Sequence, residues 1–469
     1  MSTYLGQKGY TIYKDSLDVK EQLLIRKELE VCPWVPKSSF HKPASFPIYR
    51  ESKTKIYIPR FYGIENYGEP EEIRLSEGED IDVKFKGKLR PKQVPAVEAF
   101  LNSPSKCGLL ELCCGFGKTC LSLYIISKLK KKTLVIVHKS FLMNQWKERI
   151  EQFLPGARVG IIQGETIDTE DKDIVLGMLQ SISMKEYPWS LFQEFGITII
   201  DETHHISAEV FSRSLFKIVT RYMLGLSATM KRKDGLTRVF KMFLGEVVYK
   251  KERENASVTV KVIKYENNDE EYSEDILNFK GQIFYAKMIN KLCDFNRRTE
   301  FMLQVLSDLL KEREGQQIMI LAHNKSLLKY FHDAIEHRKM ATVGYYVGGM
   351  KEKDLKITET KQIVIATYAM ASEGLDIKTL TTLILATPKT DVTQAVGRIL
   401  RRQDVDALVI DILDQHGIFH RQWLKRRAFY KRSNFEIMLT DNKDYFENKW
   451  VSLKKRKNKR KKMGCLITN

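Results

Sequence analysis

The chain has no apolar run approaching the roughly 20 residues needed to cross a bilayer, so no membrane partner is expected. Its opening, MSTYLGQKGYTIYKD, lacks the apolar core of a signal peptide, which points to an intracellular protein. Cysteine is scarce and poorly spaced for metal. Of the seven, Cys107, Cys113, Cys114 and Cys120 share one segment with no second Cys or His pair to complete a zinc site, so no zinc is expected and they read as buried reduced thiols. No solenoid-type repeat is evident. Acid is short relative to base: 78 Lys and Arg face 59 Asp and Glu, giving a net charge of +19. Removing the eight basic residues of KKRKNKRKK at 454–462 leaves +11, so the excess is not only a tail effect and favours a polyanionic partner.

What is present is a globular composition, 43% hydrophobic and 29% charged, over 469 residues, more than one core usually supports. From Lys106 onward short apolar runs alternate with amphipathic stretches, the pattern of a parallel sheet with helical crossovers. The expected strands are Gly108 to Leu112, Thr133 to Val137, Ile174 to Met178, Ile197 to Ile200 and Tyr222 to Leu226. A second series runs Ile318 to Leu321, Ile363 to Ala366, Leu383 to Ala386 and Leu408 to Ile410. The fold class is therefore α/β, two tandem parallel-sheet domains at 86–254 and 255–435. The acidic stretch Glu266 to Asp275 reads as a solvated linker or loop. Residues 1–85, with Pro33, Trp34, Pro36, Pro43, Pro47 and Pro59, read as a separate irregular or strand-rich accessory region, and 436–469 as a basic tail that cannot bury a core.

Gly115-Phe116-Gly117-Lys118-Thr119 follows one expected strand and precedes an amphipathic helix, Thr119 to Lys132, the context a phosphate loop requires. Glycines let backbone N–H groups approach phosphates, the helix N-terminus favours their charge, Lys118 can reach the β/γ oxygens, and the Thr119 hydroxyl can ligate Mg2+. Leu112 stands where the general pattern has its first glycine. Asp201-Glu202-Thr203-His204 follows the apolar strand Ile197 to Ile200, so its acids emerge at the carboxyl edge of the sheet beside that loop. Asp201 would hold the metal and Glu202 would orient or deprotonate the attacking water. ATP and Mg2+ are the expected cofactors.

The ordered series resembles the DExH branch of superfamily 2 helicases, in the group of the XPB repair translocase and the phage UvsW helicase, over roughly Lys88 to Arg402. Both domains would then be RecA-like. The resemblance carries Leu89-Arg90-Pro91-Lys92-Gln93 as a nucleotide-binding element, with Arg90 on the nucleotide and Gln93 touching adenine, and Cys114 as part of the loop. Ser227-Ala228-Thr229 is similar to the motif that couples nucleotide state to domain closure, and Arg232, Asp234, Gly235 and Leu236 after it fit the XPB-like group. TYAMASEGLD, Thr367 to Asp376, resembles a motif in which Thr367 contacts the strand while Gly374 and Asp376 approach the nucleotide. QAVGRILR, Gln394 to Arg401, resembles the motif that supplies arginine fingers, here Arg398 and Arg401, with Ala395 where many relatives have arginine. His204 and Gln394 would relay between domains, and His205 is structural. The texture around Lys55 to Gly63 and His138 to Trp146 looks like helicases of large cytoplasmic DNA viruses, which implies a cytoplasmic factory or virion, while the basic tail reads as a nuclear signal or a nonspecific tether.

A motor of this class grips phosphates without reading bases. The expected contacts are Lys139, Ser140, Gly164, Gln180 and Ser181 in the first domain and Asn324, Gly349 and Thr367 in the second. The helix from Arg421 to Arg432 puts Trp423, Arg427 and Tyr430 on one face; packing of its aromatics onto the second domain is favoured over base stacking, with Arg426 and Arg427 on nucleic acid. DNA is the favoured partner, with RNA or a hybrid open, and RNA polymerase or transcription factors are further candidates. A strand-separating helicase and a duplex translocase that releases transcripts share every one of these catalytic residues.

Overall fold

The computed structural model describes residues 2–34, 43–113, 115–203, 208–228, 235–252, 257–313, 315–373, 377, 379–400 and 406–453. Cys114, His204, His205, Thr229, Arg232, Asp234, Gly374, Asp376, Arg401 and the basic run at 454–462 lie outside them. The chain divides into two compact units, Met1–Glu252 and Arg253–Asn469. Among the described residues no helix is long and apolar enough to cross a membrane.

The first unit is built on an eight-stranded sheet ordered Thr166–Asp168, Val159–Gln163, Ile174–Met178, Thr133–Val137, Ile197–Ile200, Tyr222–Ser227, Cys107–Leu112, Val247–Lys251. All neighbours are parallel except the antiparallel edge strand Thr166–Asp168. Parallel pairing forces a crossover between strands, and crossovers cover both faces. Side-chain alternation shows the result: Leu134 and Ile136 enter one core while Val135 and Val137 enter the other. All five residues of Thr133–Val137 are buried, which is why the strand reads as an unbroken apolar run.

Residues of the N-terminal region share the first of these cores. A five-stranded sheet, Arg50–Glu51, Lys55–Ile58, Gly9–Tyr13, Thr3–Gly6, Glu72–Ile73, contributes Tyr10, Ile12, Ile56 and Ile58 to a cluster that also holds Leu109 and Ile136. The helix Arg60–Tyr67 follows, and Arg60, buried, donates to the Arg221 carbonyl at 3.1 Å. The region is strand-rich but, contrary to expectation, not separate: it packs directly on the first parallel sheet within one compact unit, Met1–Glu252.

The second unit repeats the architecture: Val343–Tyr346, Ile363–Thr367, Gln317–Ala322, Leu380–Leu385, Ala407–Asp414, Val258–Tyr265, Glu436–Asp441, Val451–Ser452. Only the last strand is antiparallel. Two expectations are corrected. The sheet runs on past 435, because Glu436–Asp441 pairs along Val258–Tyr265, so 436–453 is folded structure rather than tail. The acidic stretch is no linker: Tyr272 inside it is fully buried and donates to Asp414 at 2.7 Å, while Asp269 and Asp275 pair with Arg297 and His416.

Smaller corrections concern lysine and cysteine. The phosphate-loop helix is Lys118–Leu129, and Lys132, beyond it, is buried between Glu79 at 2.8 Å and Glu194 at 2.7 Å. Cys107 is a buried thiol as expected and Cys293 is another, but Cys113 and Cys120 are half-buried and Cys32 is exposed.

A phosphate loop facing paired carboxylates

The strand Cys107–Leu112 delivers the chain to the loop, and the helix Lys118–Leu129 leaves it. Gly117 caps that helix at φ 92° and Gly115 sits at φ 77°, backbone that a side chain strains. Phe116 is buried and anchors the loop between them. Gln93 completes the hold: its Nε2 donates to the carbonyls of Phe116 and Gly117, each at 3.1 Å, and its Oε1 accepts from the Arg90 backbone at 2.8 Å. Here Gln93, almost fully buried, has its amide engaged with the loop backbone rather than offered outward to a base, whereas Arg90 is exposed. A Cβ on Gly117 would stand 2.4 Å from that amide nitrogen. Gly117→Ala is therefore expected to break the clamp and strain the loop, lowering stability by about 1–3 kcal/mol and weakening ATP binding at least tenfold. Nucleotide titration and thermal melting check this, and an unchanged affinity would count against the loop's role.

One strand, Tyr222–Ser227, lies between the loop strand and Ile197–Ile200, yet the side chains meet: Lys118 Nζ is 2.6 Å from Glu202 Oε1. Glu202 adopts φ 49°, left-handed backbone uncommon for a non-glycine residue and typical of functional sites. Asp201 is buried; its Oδ2 accepts from Trp146 Nε1 at 2.9 Å and its Oδ1 from the Glu202 backbone at 2.9 Å. Burial, reinforced by the Glu202 charge and offset by Lys118 and Trp146, pushes its carboxyl up to about 6. A buried acid destabilised in its charged form is a natural seat for a cation. Thr119 is half-buried in the first turn of the adjoining helix. Residues and backbone thus fit a nucleoside triphosphate with its divalent metal: Lys118 and loop amides for phosphates, Thr119 and Asp201 for the metal. Trp146 was quoted in the sequence only as texture; its partner could not be read there because the two are 55 positions apart.

Thr203, buried, donates to the Leu226 carbonyl at 3.4 Å, linking the acidic motif to the strand that ends at the buried Ser227. The expected first-domain contacts cluster along the carboxyl ends of three strands. Gln180 Nε2 donates to the His138 carbonyl at 3.1 Å beside Lys139 and Ser140, and the Gly164 amide donates to Ser181 Oγ at 2.9 Å. In the second unit Asn324, Gly349 and Thr367 sit at or beyond the carboxyl ends of three adjacent strands. Asn324 caps the next helix through Ser326, and His323 before it, at 2.8 Å from Thr387 Oγ1, is held neutral because burial first, then Lys389, lowers it to about 4. Gln394 and Arg398 lie one turn apart on the helix Thr393–Ile399, with Arg398 Nε donating to the Ala371 carbonyl at 3.0 Å. Ala395 is buried in the domain core.

Arg426 is a correction. It is 1% exposed, forms a two-pronged pair with Asp411 at 2.8 Å, and donates to the Lys389 carbonyl at 2.6 Å, so it cannot reach a phosphate. Trp423 and Tyr430 are buried against the sheet, the packing the helix was expected to favour. Arg427 stacks over Trp423 at 5.3 Å and stays half-exposed.

A clamped phosphate loop facing adjacent Asp and Glu on a parallel sheet, followed by a second parallel α/β domain, defines a two-domain RecA-like ATPase. The family model described as "Type III restriction enzyme, res subunit" matches residues 86–232, and "Helicase conserved C-terminal domain" matches 302–403. The chain is 34% identical over 457 residues to "Putative ATP-dependent RNA helicase L396" of Acanthamoeba polyphaga mimivirus, covering 93% of this chain and 86% of that protein. It is 27% identical to "Putative helicase 161L" of Invertebrate iridescent virus 6, covering 83% and 91%. Among solved structures, "S. cerevisiae Dbp5 bound to RNA and ADP BeF3" is similar in fold, with a TM-score of 0.53 and 13% identity over 77% of this chain and 92% of that one. The chain belongs to the superfamily 2 helicases of viral type, ATP-hydrolysing enzymes that act on nucleic acid.

Proposed function

We propose that this helicase couples ATP hydrolysis to movement along DNA inside the infected cell, serving viral transcription, repair or recombination. The observation that carries the reading is the row of Lys139, Ser140, Gly164, Gln180 and Ser181 along the carboxyl ends of three adjacent strands, tied together by the Gln180 and Gly164 bonds. These are amides, hydroxyls and a lysine, groups that grip a backbone and leave bases unread. Asn324, Gly349 and Thr367 supply the same chemistry on the second sheet.

Mg2+ held by Thr119 and Asp201 would supply charge neutralisation at the phosphates. Lys118, released from Glu202, binds phosphate oxygens; Glu202, freed by the same exchange, orients the attacking water and takes its proton. Arg398 and Arg401 neutralise charge on the γ-phosphate in the transition state, and Gln394 and His204 relay nucleotide state between domains. Ser227 and Thr229 couple that state to closure, and Thr203 ties the strand that ends at Ser227 to the acidic motif.

The test is the steady-state ATPase rate at fixed salt with no nucleic acid, single-stranded DNA, duplex DNA, single-stranded RNA and an RNA–DNA hybrid. Stimulation at least about tenfold by DNA is expected. Stimulation confined to RNA overturns the DNA assignment in favour of the activity in the mimivirus relative's name. Duplex stimulation without strand displacement assigns instead a translocase that acts in transcript release.

A further inference from the structure

The segment between the first strand of the second domain and its first long helix ends in a tight hairpin. Leu277 and Ile283 bridge antiparallel, the Asn278 amide donates to the Gln282 carbonyl at 2.7 Å, and Phe284 donates to the Ile276 carbonyl at 2.8 Å. Asn278 pins the turn from inside, its Oδ1 accepting from the backbones of Lys280 at 2.9 Å and Gln282 at 3.0 Å, while Gly281 at φ 70° closes it. Ile276 and Ile283 pack against the domain core, so the stem is anchored. The tip is not buried. Phe279 is 93% exposed, the most exposed of the large apolar side chains among the described residues.

Placement and charge say what such a tip meets. The helix Tyr285–Asp294 that follows ties the hairpin to the strand-contact edge: Tyr285 donates to the Pro388 carbonyl at 3.4 Å, beyond the end of Leu380–Leu385, and Asn290 accepts from Asn324 at 3.3 Å. Between Ile276 and Cys293 there is no acid, while Lys280, Lys287 and Lys291 are present. Lys280 and Lys287 lie over Phe279 and Phe284 at 5.7 and 5.5 Å. Upstream, Asp269 and Asp275 are paired with Arg297 and His416, which leaves Glu270, Glu271 and Glu274 as a repelling flank and directs a polyanion to the lysine side.

We propose that Phe279 is a stacking platform for a base of the unpaired strand, held at the tip of a hairpin that leads into the helix whose Asn290 meets Asn324, and flanked by lysines for the adjoining phosphates. This rests on the reading of Asn324, Gly349 and Thr367 as the strand track. An aromatic face takes any base, which suits a motor that accepts every sequence, and losing one stacked base costs on the order of five- to hundredfold in affinity.

The experiment measures binding by the full chain, without nucleotide, to single-stranded DNA, single-stranded RNA, blunt duplex DNA and a DNA fork carrying 2-aminopurine at its first unpaired position. Phe279→Ala is expected to lose about five- to hundredfold for the single strand and to lose the 2-aminopurine quench at the fork. Blunt duplex affinity and melting temperature should be unchanged, because the side chain leaves no core. Phe279→Trp should stay near wild type and Phe279→Leu should fall with alanine, separating stacking from simple apolarity. Wild-type single-strand affinity and quench in Phe279→Ala overturn the proposal and leave the tip as a protein-docking element. An equal loss for blunt duplex also overturns it. Failure of the wild-type chain to bind any of the four refutes the strand track itself, a result distinct from either.

Discussion

Glu202→Gln is expected to bind ATP with near wild-type affinity and to hydrolyse it on the order of a hundred- to ten-thousandfold more slowly, the range general-base removal produces. The amide keeps the volume and a hydrogen bond to Lys118, now 2.6 Å from the carboxylate, but accepts no proton. Lys118→Ala is expected to fail differently. It removes the phosphate contact and leaves Glu202 beside a buried Asp201 without the cation that balances both, so binding itself weakens. Fluorescent-nucleotide titration beside single-turnover hydrolysis separates the two patterns, and substantial turnover by both variants would overturn the assignment of this site. The left-handed backbone of Glu202 adds a corollary, since strain of this kind persists only where surrounding structure imposes it. Here the preceding residue, Asp201, is fixed by bonds from Trp146 Nε1 and the Glu202 backbone.

Arg426→Ala is expected to destabilise the second domain by about 3–5 kcal/mol, because it leaves Asp411 charged and fully buried. Tyr430, donating to the same carboxylate at 3.0 Å, cannot satisfy it alone. For a domain of this size that corresponds to a fall of very roughly 10 °C in melting temperature. Replacing both partners, Arg426→Met with Asp411→Leu, should recover most of the loss, since an apolar pair of similar volume leaves no unmatched charge. Circular-dichroism melting of the single and double variants checks this, and a single variant that melts like wild type would contradict the burial. Arg427→Ala alone then carries the nucleic-acid question: a lower salt slope in DNA binding with unchanged melting places that guanidinium on phosphate.

Much of the fold was legible in sequence because parallel strands buried on both faces must be apolar throughout. Thr133–Val137, Ile174–Met178 and Ile197–Ile200 announce themselves as short unbroken runs between amphipathic helices. Glu436–Asp441 escaped notice because it lies near the sheet edge and carries alternating polar residues, so its pattern matches a tail as well as a strand. The acidic stretch misled for a related reason: carboxylates on a solvated surface look alike whether the chain beneath is loose or is pinned, as here, by the buried Tyr272 and by the pairs that Asp269 and Asp275 make.

The sequence by itself determined the chemistry of the phosphate site, because a glycine loop, a lysine and a strand-terminal Asp-Glu pair need only local spacing to specify where phosphates and water can be handled. Tertiary structure alone decided which charged and polar side chains are free to act. Arg426 and Arg427 are neighbours of the same type in one helix, yet one is sealed against Asp411 and the other is half-exposed, a difference set by which face meets the sheet. Gln93, Trp146 and Phe279 follow the same rule. Their roles depend on groups distant in sequence or, for Phe279, on near-complete exposure, and neither is written in the residue itself.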